Sequence, residues 1–392
     1  MSLSVLLAGG GTAGHVSPLL AIAEELRFQD PASRIVVLGT DEGLESRLVP
    51  DAGHELVTIP KVPMPRRLGA DALRFPGRFR GAVRSVVDLL RERDVDVVLG
   101  VGGYVSTPAY LAARRTGTPI VVHEANARPG LANRVGARLT RADLVGYTFP
   151  GTPLKGRQIG MPMRGQIERV DYDEPAQRRS ARRWLGLDEH LPTLVVTGGS
   201  LGAQNLNEAM AGSLAAIDEA GVQVLHITGA GKGEGLRDAT AELPHYHVRE
   251  YVDGMENAYL AADLLVCRAG AGTVAEVSVV WVPAVFVPLA IGNGEQRLNA
   301  AAHVDAGAAL MVDDADFSAD YVLDTVLPLV TDPERLDAMR AAARRESFPG
   351  TAARTMAHMV YSAADVSHPG REHGPERWTK HERFYRSGEE NA

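Results

Sequence analysis

A glycine-rich turn that runs directly into a histidine is the segment whose residue types most clearly suggest chemistry. It reads GGGTAGH over residues 9–15, between an apolar run at 3–8 that predicts a buried strand and later apolar residues at helical spacing. Glycines there let the backbone approach a ligand closely, and the N–H groups that open the helix favour an anion. A turn that only held a nucleotide would not need His15, whose neutral imidazole can accept a proton from a hydroxyl nucleophile.

The same residues also match the G-x-G-x-x-G pattern of dinucleotide-binding oxidoreductases. That alternative needs an acidic residue at the end of the second strand to bind a ribose. The strand predicted at 34–38 ends in Gly39-Thr40, with Asp41 just beyond it, so the match is weak. A second alternative is that His15 only bonds the backbone of its own helix start.

A second glycine turn lies in the other half of the chain. RAGAGTVAE at residues 268–276 follows an apolar run and opens a predicted helix, whose N–H groups could bind a diphosphate. Glu276 could accept hydrogen bonds from ribose hydroxyls, or it could simply stabilise its own helix N-terminus. Polar loops that could bond a sugar follow other predicted strands, at 100–106, 123–126 and 292–300. We interpret His123 as a core histidine.

Metal-ligand signatures are absent from the sequence. It has no Cys-x-x-Cys pair, no His-Glu-x-x-His, and no Asp-x-Asp pair in a sugar-nucleotide context. The charge of a diphosphate must then be met by backbone N–H groups and arginine, with Arg164 and Arg268 as candidates. We expect no required cofactor, and stimulation by a divalent cation stays open.

The elements that must position these groups alternate between strand and helix, which predicts a doubly wound parallel sheet in each half. The clearest predicted strands are 3–8, 34–38, 95–99, 119–123, 192–197, 222–227, 263–267 and 284–287, and a helix is predicted over 203–216. A length of 392 residues suits two domains. Because ligands bind beyond the carboxyl ends of parallel strands, we expect a shared site in a cleft between the domains.

Composition excludes several classes of protein. A net charge of −8 argues against nucleic-acid binding, and no apolar run approaches the roughly 20 residues that span a bilayer. The N-terminus shows no secretory signal, which favours the cytoplasm. The lone Cys267 lies in an apolar run and is predicted to be a buried small hydrophobe. The polar stretch 362–392 predicts a disordered tail.

One local stretch departs from the acidic average. Residues 61–84 carry seven basic side chains against the single acid Asp71, interleaved with apolar ones. Basic and apolar residues together are typical of a peripheral membrane-binding surface, since each feature alone anchors weakly. The alternative is a solvated loop that leads into a helix. The predicted membrane contacts are Arg74, Phe75, Arg78, Phe79 and Arg80.

Seven segments, in order along residues 1 to about 360, closely resemble the MurG family of bacterial peptidoglycan N-acetylglucosaminyltransferases, in an actinobacterial form. These segments are GGGTAGH at 9–15, GVGGYVS at 100–106, HEAN at 123–126, GMPMR at 160–164, GGSLGA at 198–203, RAGAGTVAE at 268–276 and GNGEQRLNA at 292–300.

The resemblance implies an α/β GT-B glycosyltransferase fold, with two doubly wound Rossmann-like domains and a cleft between them. It implies an acceptor and membrane-facing domain at 1–162, a UDP-GlcNAc domain at 163–345, and a helix at 346–361 that packs back on the first domain. The implied reaction transfers GlcNAc, with inversion, to the C4 hydroxyl of undecaprenyl-diphospho-MurNAc-pentapeptide, which converts lipid I to lipid II.

The resemblance also implies residue roles, partners and a location. The implied catalytic residues are His15, Tyr104 and Glu124. The implied substrate-binding residues are Gly11, Thr12, Ala13, Gly14, Asn126, Arg164, Ser200, Val252, Ala271, Gly272, Thr273, Val274, Ala275, Glu276 and Gln296. The implied partners are UDP-GlcNAc, lipid I, the anionic inner face of the cell membrane and other cell-wall synthesis and division proteins. The location would be peripheral, on the cytoplasmic side of the membrane.

Four positions depart from the family pattern: Leu201, Met161, Gly272 and Trp281. Trp281 stands where a helix usually ends in glycine, and positive φ there costs a bulky residue roughly 1 kcal/mol. Two alternatives stay open at this point. One is another GT-B transferase acting on a membrane glycolipid, and the other is a non-catalytic UDP-sugar-binding protein.

Overall fold

The computed structural model describes residues 2–63, 70–168, 170–199, 202–289, 294–347 and 350–364. The chain divides into two compact units: Met1–Gly165 with Pro349–Ala392, and Gln166–Phe348. Most of the predicted tail, from 365 to 392, lies outside the described residues, as do Arg66, Arg67, Ser200 and Leu201.

The first unit contains a seven-stranded parallel sheet in the order β3-β2-β1-β4-β5-β6-β7. Its strands are β1 (Ser4–Gly9), β2 (Arg34–Gly39), β3 (Glu55–Thr58), β4 (Val97–Gly102), β5 (Ile120–Glu124), β6 (Val145–Tyr147) and β7 (Arg157–Gln158). Its first helices are α1 (Ala13–Gln29), α2 (Glu45–Asp51), α3 (Ala70–Glu92), α4 (Ser106–Thr116) and α5 (Leu131–Leu139), followed by a 3-10 turn at Ala142–Leu144.

The second unit contains a six-stranded parallel sheet in the order β10-β9-β8-β11-β12-β13. Its strands are β8 (Thr193–Thr197), β9 (Gln223–Ile227), β10 (Tyr246–Arg249), β11 (Leu264–Cys267), β12 (Ala284–Phe286) and β13 (Ala309–Met311). Its helices are α6 (Gly165–Glu168), α7 (Pro175–Leu185), α8 (Gln204–Ala211), α9 (Leu214–Glu219), α10 (Glu234–Ala239), α11 (Met255–Ala261), α12 (Ala271–Val280), α13 (Glu295–Asp305), α14 (Ala319–Tyr321), α15 (Leu327–Val330) and α16 (Pro333–Arg345), with a π turn at Val322–Val326.

The doubly wound parallel sheets confirm the predicted fold class, and all eight predicted strands are present. The central strands β1, β4 and β5 are buried along their whole length, which explains their continuous apolar sequence. The strands that the sequence did not reveal lie toward the sheet edges and are short. β7, for example, is an exposed pair of residues, too short to show any hydrophobic period.

The predicted single helix over 203–216 is wrong, because the structure has two helices there. α8 ends at Ala211 and α9 begins at Leu214. A side chain at Gly212 would lie 3.1 Å from the Cβ of Ala319, and the buried Ser213 hydroxyl donates to Ala209 O at 2.8 Å. The helix is therefore interrupted where α14 packs closely against Gly212 and where Ser213 bonds the backbone. Hydrophobic spacing in the sequence does not reveal such an interruption.

The last helix, α17 (Ala352–Ala363), belongs to the first unit. Its buried residues Met356, Val360 and Tyr361 join the core cluster that contains Leu3 and Leu26. The chain therefore leaves the second unit after α16 and completes the core in which it began.

Trp281 adopts the positive φ that its place at the end of α12 predicts, with φ 60°. Its ring is 4% exposed and joins a small core with Ala308, Ala342 and Ala343, while the Arg344 guanidinium lies 5.0 Å from the ring centroid. Burying an aromatic ring contributes more than the roughly 1 kcal/mol cost of the left-handed backbone. The unusual residue is thus used for packing.

In the part of the chain that the structure describes, no helix has both the length and the apolarity needed to span a bilayer.

Candidate functional site

The first glycine turn joins β1 to α1 and places His15 in the opening turn of that helix. The His15 N–H donates to Thr12 O at 3.1 Å, and its Nδ1 lies 3.2 Å from Thr12 Oγ1. The ring packs against the end of β4, where a Cβ added at Gly102 would lie 2.9 Å from His15 Nε2. The glycines of GVGGYVS therefore make room for the imidazole.

Burial lowers the pKa of His15 below 6.5, although a hydrogen bond to the backbone of Gly10 and the charge of Glu45 act in the opposite direction. The ring is therefore neutral at pH 7. A neutral imidazole has one nitrogen without a proton, which is what a general base requires.

Tyr104 directly follows Gly102 and Gly103 at the end of β4. It is 47% exposed, and Lys61 Nζ lies 5.6 Å from its ring centroid. The backbones of the two turns come close together, since a Cβ at Gly103 would lie 2.6 Å from Gly10 O. Tyr104 and His15 therefore flank the same pair of turns in the first unit.

Glu45 is a buried carboxylate that the sequence analysis missed. It begins α2, is 1% exposed, and its Oε2 accepts from Gly11 N at 2.7 Å. Its Oε1 accepts from Thr40 N at 3.0 Å and from Thr40 Oγ1 at 2.8 Å. The dinucleotide alternative needed an acidic residue after β2 to bind a ribose. Both carboxylate oxygens of Glu45 instead accept hydrogen bonds from Gly11 and Thr40 of the protein. A glutamate near β2 was visible in the sequence, yet nothing there showed which way it points.

Glu124 ends β5 and is 2% exposed. Its carboxylate accepts from Asn126 N at 2.9 Å, from Gly130 N at 3.0 Å and from Asn133 Nδ2 at 3.0 Å. Burial raises the pKa of Glu124, against the effect of these donors. The carboxylate thus holds the loop that carries Asn126.

His123, the preceding residue, is the core histidine that we predicted. It is fully buried, its Nε2 lies 3.0 Å from Gly160 O, and burial lowers its pKa to about 4. It is therefore neutral at pH 7 and packs inside the first unit.

The second glycine turn joins β11 to α12. Gly270 is the N-cap of α12 with extended backbone angles and, as a glycine, supplies no side-chain cap. A Cβ at Gly272 would have no atom within 4 Å, so the first helical turn is open on this side. The amides of Ala271, Gly272 and Thr273 open this helix, and such amides with their helix dipole favour an anion.

Glu276 lies in the second turn of α12, and its Oε2 accepts from the Tyr259 hydroxyl at 2.5 Å. The bond fixes the direction of this carboxylate relative to α11. Glu276 thus bonds a residue of another helix, whereas the alternative reading of the sequence had it stabilise only the N-terminus of its own helix.

The remaining donor-side candidates differ in their surroundings. The Nη1 group of Arg268 is engaged within its own unit, since it donates to Asp314 Oδ1 at 2.5 Å and to Val287 O at 3.1 Å. Gln296 Oε1 accepts from Leu289 N at 2.9 Å, and Val252 is buried. Arg164 is exposed and belongs to the first unit.

Cys267, at the end of β11, is fully buried as predicted. Burial raises the pKa of its thiol, so it is not a nucleophile at neutral pH.

The basic, aromatic stretch is largely helical, because α3 begins at Ala70. The alternative, a solvated loop leading into the helix that contains Val83, is therefore wrong for residues 70–82, and its helix is present. Phe75 and Phe79 are half-buried and stack with ring centroids 5.4 Å apart. Exposed residues on the same two turns are Leu73, at 86%, and Arg74, Arg78 and Arg80.

Comparison with known families covers both units. Residues 5–143 match the glycosyltransferase family 28 N-terminal domain, and residues 193–355 match the glycosyltransferase family 28 C-terminal domain.

Curated relatives match almost end to end. A protein of Paenarthrobacter aurescens is 54% identical over 370 residues, which is 93% of this chain and 97% of that protein. One of Clavibacter sepedonicus is 52% identical over 368 residues, covering 93% and 98%. Both are named UDP-N-acetylglucosamine–N-acetylmuramyl-(pentapeptide) pyrophosphoryl-undecaprenol N-acetylglucosamine transferase. The crystal structure of Acinetobacter baumannii MurG is similar with a TM-score of 0.75 and 29% identity, over 92% of this chain and 99% of that one.

Proposed function

The chain belongs to glycosyltransferase family 28 and, within it, to the MurG transferases, and from this we propose that it makes lipid II. It transfers GlcNAc from UDP-GlcNAc to the C4 hydroxyl of MurNAc in undecaprenyl-diphospho-MurNAc-pentapeptide. The acceptor oxygen forms a bond to the anomeric carbon as the bond to UDP breaks, so the configuration inverts. This step belongs to peptidoglycan synthesis.

The observation that best supports this chemistry is the neutral His15 at the glycine turn of the first unit. A hydroxyl that attacks a sugar carbon must lose its proton, and a neutral imidazole can take it. In our proposal His15 accepts that proton, Tyr104 supports the acceptor, and Glu124 positions the loop around Asn126. Gly11, Thr12, Ala13 and Gly14 approach the reacting groups through their backbone.

The donor side of the proposal rests on the open start of α12. The leaving UDP gains negative charge, which the first amides of this helix stabilise. Glu276, held by Tyr259, accepts from the ribose hydroxyls, and Gln296 contacts the sugar. The full proposed donor set is Asn126, Arg164, Ser200, Val252, Ala271, Gly272, Thr273, Val274, Ala275, Glu276 and Gln296.

An acceptor-dependent UDP-release assay tests this function. Purified protein with UDP-GlcNAc should release UDP when a lipid I analogue is added, and only background amounts without it. Equal release with several unrelated glycolipids would instead indicate a broader membrane glycolipid transferase. UDP-GlcNAc binding without turnover would indicate a non-catalytic protein.

We also propose that α3 contacts the anionic cytoplasmic face of the membrane, where the lipid tail of the acceptor lies. Exposed Arg74, Arg78 and Arg80 beside Leu73 combine charge with an apolar side chain. Changing the three arginines to glutamate should weaken binding to vesicles that contain anionic lipid. The matched control reverses the exposed Arg114, Arg115 and Arg138 of the same unit, and an equal loss there would overturn the assignment.

A further inference from the structure

Glu45 has no part in the donor or acceptor contacts proposed above, yet the first glycine turn is built around it. It is 1% exposed, and it bonds two separate segments: Gly11 of the turn and Thr40 at the end of β2. Its hydrogen bond to Gly11 joins residues 34 positions apart in the chain.

Three glycines leave the space that the Glu45 side chain fills. A Cβ at Gly10 would lie 2.3 Å from Glu45 Oε1, one at Gly39 would lie 2.6 Å from its Cγ, and one at Gly43 would lie 2.0 Å from its Oε2. Distances under 3.0 Å are contacts that real Cβ atoms essentially never make. Backbone from two segments, the first glycine turn and the connection between β2 and α2, therefore surrounds the Glu45 side chain.

The Glu45 carboxylate is ionised inside the protein. Burial alone would raise its pKa, but the hydrogen bonds from Gly11 and Thr40 outweigh burial and hold the pKa below the ordinary value. A buried charge persists only when such donors satisfy it. The negative charge also acts on His15, whose pKa it raises against the stronger effect of burial.

This carboxylate accepts one of the backbone amides of the turn, the kind of group that a phosphate-binding loop directs at its ligand. Gly11 has φ 91°, a conformation that glycine adopts without strain, and its N–H donates to Glu45 Oε2 at 2.7 Å. Thr12, the next residue, is the N-cap of α1, and His15 lies in the first turn of that helix. The anion that orders this turn is thus part of the protein, present whether or not a substrate is bound.

We propose that Glu45 is a positioning residue for the transfer reaction: its charge fixes the Gly11 amide and thereby the start of α1 that carries His15. The inference rests on the proposed function for its kinetic consequence. Its structural consequence, an ordered turn in the free protein, is independent of that function.

The test compares Glu45→Gln, Glu45→Asp and the control Glu42→Gln in the full-length protein. Glutamine keeps the size of the side chain, but its NH2 group must face one of the N–H donors, so one hydrogen bond is lost. We expect kcat for acceptor-dependent UDP release to fall about 10- to 100-fold, with KM for UDP-GlcNAc within about two-fold of the wild type. Glu45→Asp keeps the charge and should recover part of kcat. Glu42→Gln, whose carboxylate is 72% exposed, should have no effect.

Two kinetic outcomes would overturn the inference. One is a Glu45→Gln enzyme with wild-type kcat. The other is a higher kcat in Glu45→Gln than in Glu45→Asp, which would mean that shape rather than charge matters.

Amide hydrogen exchange in the free protein supplies a readout that needs no turnover. Residues 11–16 should exchange faster in Glu45→Gln, while the amides of α12 in the second unit stay unchanged. Unchanged exchange at 11–16 would overturn the positioning role, whereas a wild-type protein without acceptor-dependent UDP release would overturn only the proposed function. If Glu45→Gln fails to fold, Thr40→Val removes one donor from the carboxylate and must show the same pattern of exchange in weaker form, or the inference fails.

Discussion

The two glycine turns look alike in sequence and differ in what meets their amides. Each follows a buried strand and opens a helix: α1 after β1, and α12 after β11. In the first turn, a buried glutamate accepts the Gly11 amide. In the second, the N-cap Gly270 supplies no side-chain cap and the space beside Gly272 is open. The N-cap of α1, Thr12, makes no side-chain capping bond either, so the two turns differ at the Gly11 amide and not at the cap itself.

The difference indicates how one motif can serve two purposes. A turn whose anion is built in is ordered before any ligand arrives, which suits a residue that must be held for proton transfer. A helix start with open space beside it, as at Gly272, leaves room for the charge of a ligand. This difference supports our proposal that the first turn carries proton transfer and the second binds the leaving diphosphate.

Removing the imidazole from the first turn should have the largest effect. His15→Ala should lower kcat for UDP release about 10²- to 10⁴-fold, the range for loss of a general base, with KM for UDP-GlcNAc nearly unchanged. Steady-state kinetics with both substrates varied would check this. A loss seen only as a higher KM would move His15 from catalysis to binding and remove the contrast between the turns.

Adding a built-in anion to the second turn should have a smaller effect. Gly272→Asp places a carboxylate in the first turn of α12, where a Cβ would meet no neighbouring atom within 4 Å. Repulsion of the diphosphate should raise KM for UDP-GlcNAc about ten-fold, which corresponds to about 1.4 kcal/mol. Gly272→Asn, with the same size and no charge, should change KM much less. Equal effects of the two variants would show that the turn does not meet negative charge.

The smallest expected effect is a difference in how two kinetic constants depend on pH: kcat, which we attribute to the first turn, and KM for UDP-GlcNAc, which we attribute to the second. Because the pKa of His15 lies below 6.5, its base form persists at pH 6.5 and is lost as the pH falls through the lowered value. The acid limb of kcat should therefore lie below pH 6.5, while KM for UDP-GlcNAc stays flat, since no histidine belongs to the proposed donor set. An acid limb centred above pH 6.5 would contradict this assignment.

Stability must be followed across the same pH range. Burial lowers the pKa of His123 and His303 to about 4 and that of His226 to about 3, so these groups are neutral in the folded protein. An unfolded chain binds their protons from about pH 6.5 downward, and stability should fall with pH in that range. Thermal melts at each pH would separate loss of fold from loss of the base.

Much of the fold could be predicted because its signals are local. Continuous apolar runs such as 3–8 and 119–123 predict buried parallel strands, since both faces of such a strand are covered. Short edge strands such as β3 and β7 escaped prediction because their side chains are partly or wholly exposed. The break between α8 and α9 escaped for another reason: Ala319, which packs beside it, lies more than 100 residues further on.

By itself, the sequence determined that the chain has two parallel-sheet domains, where its glycine turns lie, and that its motifs belong together, because these depend on local periodicity and residue order. Only the tertiary structure decided which turn already has an anion. The carboxylate at Gly11 comes from Glu45, and the partner of Arg268 comes from Asp314. Both are contacts between segments far apart in the chain, and a hydrogen bond depends on the position and direction of its atoms, which only the folded chain defines.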